Sequence, residues 1–300
     1  MPTALFNTPP MKAVALLLPL ALLTALASPA PAQMEVTFVG NNGVMLSAGG
    51  DSVLIDSLFT HTDPFWTRLP TAGRTALLRA ESPFDNVRWS LTTHNHPDHF
   101  NAQAVRVFSG NSPETQFILS PQARGSVADV TSVVTIDVPF QNGSSTVTSP
   151  GIEIEIFHME HFDQFGNDFS RVQDYTYLVT MGGVKLLHLG DVDYIPENFA
   201  AFDFPSRGID GVVIPTFNTL LTSANRQVIL DQVAPRHIFA THLRAGQLEQ
   251  EAANVRALYP EATIFTESFQ SFTIQPVPEP SGLLLVAGAA GLAACRRFSC

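Results

Sequence analysis

The sequence predicts one mixed α/β domain, two β-sheets covered by helices. Three observations predict it. Hydrophobic residues form 45% of the 300, enough to bury a full core. Short runs of strand character follow one another, with helix-periodic segments between the later ones, a pattern that suits packed sheets better than a simple doubly wound one. No repeat and no long linker interrupts residues 34–275.

Residues 34–59, "MEVTFVGNNGVMLSAGGDSVLIDSLF", read as three strands, because Asn41-Asn42-Gly43 and Gly49-Gly50-Asp51 supply turn chemistry between apolar runs. The next segment, to about residue 82, lacks a period and is expected to be loop with some helix. "NVRWSLTTH" is a strand, and "FNAQAVRVFSG" has helical spacing and ends at Gly110. A strand "QFILS", a short helix "PQARGSVADV" and a strand "VVTIDVPF" follow. After the turn "QNGSS" comes the alternation "GIEIEIFH". "TYLVTMGG" and "VKLLHLGDVD" form a hairpin around Gly182-Gly183. "GVVIPTF", a helix near 223–233, "HIFATHL", a helix from Gly246 to Leu258, "ATIFT" and "FTIQPV" complete the order.

Both ends have the layout of sorting signals. Lys12 precedes an apolar run, Ala13 to Ala27, broken by Pro19 and followed by small residues. That is a secretory signal peptide over 1–32, with cleavage expected after Ala27 or Ala32. At the other end, Pro278-Glu279-Pro280 leads an apolar stretch that closes on Arg296-Arg297. Segment 277–300 resembles the PEP-CTERM sorting signal, which implies processing by an exosortase-type enzyme and transient membrane association; the plainer reading is a simple membrane anchor. Either way the folded domain is expected outside the cytoplasm: in the periplasm, on the outer surface or in the extracellular matrix of a Gram-negative bacterium.

The formal charge of −11 argues against a nucleic-acid partner. Only two cysteines occur, Cys295 and Cys300, both in the tail. Neither a disulfide framework nor a Cys-ligated zinc is therefore available to the domain, and any metal must be held by His, Asp and Glu.

"HNHPDHF" places three of the nine histidines and an aspartate within six positions. His94 and His96, two apart at a strand end, turn both rings to one side. Pro97 ends the strand because it cannot donate to a ladder, and Asp98 and His99 open the next helix. A lone histidine here would read as part of a polar loop. This density reads as metal ligands, since imidazole and carboxylate suit zinc and also iron or manganese. Three more candidates each close an apolar strand. His158 has the parity of Ile152, Ile154 and Ile156; Asp191 that of Leu187 and Leu189; His242 that of Ile238 and Ala240. His188 has the opposite parity and reads as structural, and His237 as a surface or capping residue. His61 lies in a loop that is either plain surface or a cleft wall shared with Phe65 and Trp66.

In order and rough spacing, the H-x-H-x-D-H cluster, the later His, the Gly-Asp after an apolar strand and the final His resemble the metallo-β-lactamase superfamily over residues 34–275. The opening strands are similar too, with Asp56 at the supporting aspartate's position. The chain looks closest to stand-alone hydrolases such as the ascorbate-6-phosphate lactonase-like proteins. The resemblance implies a four-layer αββα sandwich, a metallo-β-lactamase fold, with two zinc ions per chain, or iron or manganese. His94, His96 and His158 would hold the first metal, Asp98, His99 and His242 the second, and Asp191 would bridge. Strand parity favours His158, with His161 three residues on as the alternative. A water or hydroxide between the metals would be the nucleophile, and Asp98, the expected catalytic residue, would orient it and take its proton. The function expected is an exported metal-dependent hydrolase of a small-molecule ester, lactone, amide or phosphodiester. The alternatives are an iron-containing redox member of the same fold and a non-catalytic metal-binding envelope protein.

Overall fold

The computed structural model describes residues 33–276 except 164–166 and 218. The expected signal peptide, 1–32, and sorting segment, 277–300, lie outside the described residues. Strands β1 (Met34–Gly40), β2 (Gly43–Ala48) and β3 (Asp51–Ile55) form the antiparallel meander that the Asn-Gly and Gly-Gly turns require. Gly49 and Gly50 both take positive φ, 63° and 94°, where a side chain would be strained. Helix α1 (Thr71–Leu78) leads to β4 (Val87–Leu91). Helix α2 (Ala102–Asn111) starts at Asn101, whose side chain accepts from the Ala104 N–H and satisfies one free donor of the first turn. β5 (Gln116–Leu119), α3 (Pro121–Gly125) and β6 (Val133–Thr135) follow.

The second half runs β7 (Ser145–Ser149), β8 (Ile152–Met159), β9 (Asp174–Met181), β10 (Val184–His188), α4 (Pro196–Phe199), β11 (Gly211–Pro215), α5 (Ser223–Gln232), β12 (His237–Thr241), α6 (Leu248–Leu258) and β13 (Thr263–Ile264). β14 (Ser271–Ile274) returns to pair with β1. Among the described residues these make two seven-stranded sheets, ordered β14-β1-β2-β3-β4-β5-β6 and β13-β12-β11-β10-β9-β8-β7. The expected strand over 133–140 contracts to three residues. β7 is an addition: "STVTS" has few apolar residues and sits at the sheet edge, where polar side chains are tolerated and discourage pairing with other chains.

Three apolar layers separate the four structural ones. Between the sheets lie Val36, Phe38, Val53, Ile55 and Leu91 against Ile152, Ile154, Ile156, Tyr177, Val179 and Phe239. Each fully buried isoleucine of β8 contributes about 1.5–3 kcal/mol of transfer free energy. Leu77, Val105, Phe108 and Ala123 of α1–α3 pack on the outer face of the first sheet with Leu54, Phe117 and Leu119. Phe199, Ile229, Ala252 and Val255 of α4–α6 cover the outer face of the second with Leu187, Val212 and Ala240. The architecture is the αββα sandwich, and both faces of both sheets are buried.

Candidate metal centre

The chain segments that leave β3, β4, β8, β10 and β12 meet at one edge of the sandwich. Two of these exits turn through left-handed backbone, Asp56 at φ 49° and His242 at φ 64°. Such a conformation costs a non-glycine residue about 1–2 kcal/mol, so hydrogen bonding must hold it. Asp56 accepts from Thr93 N (2.8 Å), Thr93 Oγ1 (2.7 Å) and His99 Nδ1 (2.8 Å), and His242 N donates to Asn41 O (2.8 Å). The third tight exit is Gly190, φ 65°. A Cβ there would stand 2.5 Å from Asp174 Oδ1 and 3.0 Å from Thr93 Cβ, so only glycine lets the chain enter Asp191.

Three groups of side chains place donor atoms within 4.8 Å of one another: His94 with His96 and His161, His94 with His99 and Asp191, and Asp98 with His99 and His242. In the first group the free atoms are informative. His161 Nδ1 donates to Phe162 O (2.7 Å), and His94 Nδ1 lies 3.0 Å from Thr93 Oγ1 and 3.5 Å from Asp174 Oδ1. Their Nε2 atoms, and Asp191 Oδ1, are buried without a partner. A buried polar atom left unmade costs about 1–3 kcal/mol, and three in one place fit a bound cation. In the other group His99 Nε2 and His242 Nε2 face each other at 3.1 Å, and Asp98 Oδ2 is 3.3 Å from His242 Nε2. Asp191 Oδ2 lies 3.3 Å from His99 Nε2 and 3.6 Å from His242 Nε2. Asp191 thus groups with a histidine from each set, His94 and His99. The tied Nδ1 atoms of His94, His99 and His161 follow the usual arrangement of metal-binding imidazoles, in which the other ring nitrogen is held by a carboxylate, hydroxyl or carbonyl.

The local charges are tightly coupled. Burial drives His94 and His96 down to about 3, with neighbouring imidazoles adding to the effect, so both stay neutral and available as ligands. Burial also opposes charge on His99, but the carboxylates of Asp191, Asp98 and Asp56 outweigh it and hold His99 well above the usual imidazole range. Against burial, which favours the neutral acid, His99 and His242 keep Asp98 and Asp191 well below the carboxylate range.

His158 requires a correction. It faces the inter-sheet side as its parity predicts, but β8 continues to Met159 and keeps it inside the ladder opposite Tyr175. Its Nδ1 donates to Val138 O (2.9 Å) and its ring packs on Phe140 and Tyr175. His161, beyond the strand end and bridged to Val192, is the histidine that joins His94 and His96. A second correction concerns β4, which stops at Leu91, so His94 and His96 sit in the following loop and converge through its curvature, ring centroids 4.6 Å apart. His188 is structural, bonded to Asn42 O (2.9 Å). His237 is half-buried at the start of β12 and packs on Phe272.

Sequence reasoning missed Asp174. Fully buried at the start of β9, it accepts from Asp191 N (2.9 Å) through Oδ2 and turns Oδ1 toward His94. Burial, above all, lifts it to about 8. Its polar identity at an otherwise apolar strand start was the available signal. Replacing Asp174 with Ala is expected to weaken metal affinity about 10–100-fold, the usual loss when a ligand's supporting partner is removed. Competition with a chromogenic chelator measures this, and unchanged affinity would show that Asp174 supports nothing.

His61 is not a cleft wall. It is buried, with Nε2 donating to Ser57 O (3.0 Å) and Nδ1 accepting from Leu69 N (3.4 Å). It lines a separate 90 Å³ cavity with Phe59, Arg74 and Asn101. Burial, helped by Arg74, lowers it to about 4. The unfolded chain, with an ordinary imidazole near 6.5, therefore takes up a proton first. Stability at neutral pH is full and falls between about pH 6.5 and pH 4, by about 3 kcal/mol in all. In urea unfolding of the metal-free protein, His61→Gln is expected to remove about 2–3 kcal/mol of the loss between pH 7.5 and 4.5. Equal losses in the two proteins would refute the assignment.

The family model described as "Beta-lactamase superfamily domain" matches residues 35–242, well over half the chain. The chain belongs to this family. The metallo-β-lactamase fold is equally visible among solved structures. A metallo-hydrolase from the archaeon Ignicoccus hospitalis is 13% identical with a TM-score of 0.58, covering 81% of this chain and 99% of its own. A metallo-β-lactamase-fold protein from Bacillus subtilis is 14% identical with a TM-score of 0.55, covering 80% and 99%. The diiron β-hydroxylase CmlA from Streptomyces venezuelae is 13% identical with a TM-score of 0.55, covering 83% of this chain and 55% of its own. No curated protein matches the chain in sequence.

Proposed function

We propose that this beta-lactamase superfamily member is a dinuclear metal-dependent hydrolase of a small-molecule ester, lactone, amide or phosphodiester. The observation that carries the reading is the Asp191 carboxylate, which groups with His94 of one ligand set and His99 of the other, with Oδ2 beside His99 and Oδ1 buried without a partner. His94, His96 and His161 would hold one ion, Asp98, His99 and His242 the other. Zinc bound by these residues would supply a water acidified toward neutrality and a Lewis acid for the scissile oxygen. The chain's own part is to position and to move the proton. Asp98, half-buried in the lining of the cleft and kept ionised, is placed to orient the attacking water and accept its proton. Trp66, Phe169 and Phe217 wall the cleft and limit bulk water.

Export through the 1–32 segment, exosortase-type processing of the 277–300 tail with transient membrane association, and residence in the periplasm or outer envelope of a Gram-negative bacterium belong to the same proposal. They rest on the sequence layouts alone. A second reading, an iron-containing redox protein, rests on one observation: the ligand set is wholly His and Asp, which suits iron as well as zinc in ligand type.

Metal analysis with assays separates them. Two zinc ions per chain with hydrolytic turnover support the hydrolase, whereas iron with oxygen uptake supports the redox reading. His96→Ala is expected to abolish first-site occupancy and turnover together. Hydrolysis surviving that substitution would overturn the mechanism.

A further inference from the structure

The cleft over the ligand groups has a volume of about 280 Å³ and is lined by Thr60, Asp63, Trp66, Pro97, Phe169 and Phe217 beside the ligand residues. That is near the lower end for small-molecule sites, about 300–1,000 Å³, so the occupant is small. The aromatic side chains are distributed over both ligand groups. Phe169 lies 5.0 Å from the rings of His96 and His161. Trp66 and Phe217 stand edge-on and tilted against His242 at 4.3 and 4.2 Å. Exposed Phe65, T-shaped on Trp66 at 4.5 Å, extends the apolar rim.

The charges around this wall are one-sided. Among the described residues no lysine or arginine lines the cleft, and its only charged residue outside the ligand set is Asp63. Asp63 is exposed, accepts from Phe65 N (2.9 Å) and enters no ion pair among the described residues. Arg171, two residues past Phe169, is exposed and lies near Asp168, and does not line the cleft. Arg244, bridged to Trp66 through the backbone, is paired with Glu251. Arg68 donates to Thr62 O, and Arg74 lines the cavity of His61.

We infer that the cleft selects substrates whose non-reacting part is apolar, no larger than an aromatic ring or short acyl chain, and free of negative charge, with Asp63 as the residue that rejects anions. This rests on the hydrolase reading for the bond cut and narrows it to uncharged esters, lactones or amides. A carboxylate or phosphate on the part that projects away from the ligand groups, beyond pairing distance of ions held there, would exchange water for the apolar rings of Phe65 and Trp66 beside the like charge of Asp63.

The test uses the purified, zinc-loaded protein and two ester substrates, phenyl butyrate and 4-carboxyphenyl butyrate. The wild type is expected to prefer the uncharged ester, and Asp63→Lys to lower the ratio of the two kcat/KM values about tenfold, as a two-unit charge change at the cleft mouth implies. The variant-to-wild-type ratio cancels the esters' intrinsic reactivities. Trp66→Ala is expected to raise KM for phenyl butyrate at least about tenfold with a much smaller change in kcat, the pattern of lost uniform binding. A ratio unmoved by Asp63→Lys, or a wild-type preference for the carboxylate, would overturn the inference. If the zinc-loaded protein cleaves neither ester, aryl-ester hydrolysis is ruled out, and binding still decides the cleft. Acetanilide should quench tryptophan fluorescence at least about tenfold more tightly than 4-acetamidobenzoate, with the signal lost in Trp66→Phe. Equal or reversed binding would sink the selectivity.

Discussion

Replacing His161 with alanine is expected to empty the first metal position and lower turnover at least about 100-fold, whereas His158→Ala should leave metal content at the wild-type level. The contrast follows from two different surroundings. His161 Nε2 is a buried atom with nothing to bond, grouped with His94, whose Nε2 is equally unpartnered. His158 is tied into the strand by Val138 O and the Tyr175 ring. Removing a direct ligand must cost more than the 10–100-fold typical of a ligand's supporting partner, while truncating His158 removes one hydrogen bond worth about 1 kcal/mol and some ring packing. Metal content per chain by elemental analysis checks both. Full metal occupancy in His161→Ala, or its loss in a folded His158→Ala, would reverse the assignment.

Asp56→Ala is expected to give the largest stability loss, about 3–5 kcal/mol, because it strands a buried charge network instead of removing one contact. Asp56 accepts three hydrogen bonds, from Thr93 N, Thr93 Oγ1 and His99 Nδ1, with no solvent access. His99 would lose the partner that fixes its ring and one of three carboxylates that favour its charge. Alanine also tolerates φ 49° less well than aspartate. Asp56→Asn keeps more of that geometry and should lose roughly half as much, by analogy with a retained neutral hydrogen bond. Urea unfolding of the metal-free proteins at pH 7.5 measures these losses. A deficit below about 1 kcal/mol for Asp56→Ala would mean that the network relaxes around the gap.

The order of elements and the positions of His94, His96, Asp98, His99, Asp191 and His242 were legible because each follows an apolar run with a clear period. The choice between His158 and His161 was not. Parity tells which side of a strand a residue faces, and it placed His158 correctly on the inter-sheet side. Leu187 and Ala240, whose parity Asp191 and His242 share, belong to the outer core instead. With both faces of each sheet buried, every alternating position reads as inward, and parity cannot say which interior leads to the cleft. The end of the strand decides it, and "FHMEH" carries no proline or glycine to mark where pairing stops. Asp174 was hidden for a related reason: its role depends on a neighbour seventeen residues away across β9 and β10. The aromatic wall is half legible, since the loop of Trp66 reads as cleft material while Phe169 and Phe217 are indistinguishable in sequence from the chain's many core phenylalanines.

Each ligand group draws on both sheets. His94, His96, Asp98 and His99 follow β4 of the first, and His161, Asp191 and His242 follow strands of the second. Ions held there would act as a clasp across the open edge of the sandwich, where hydrophobic packing between the sheets gives way to polar side chains. A ligand that binds only the folded form adds about 2.7 kcal/mol at a hundredfold excess over its dissociation constant. A chain that reaches its compartment unfolded would thus be fastened shut by what it finds there. Metal supply would set the lifetime of the fold as well as the rate of the reaction.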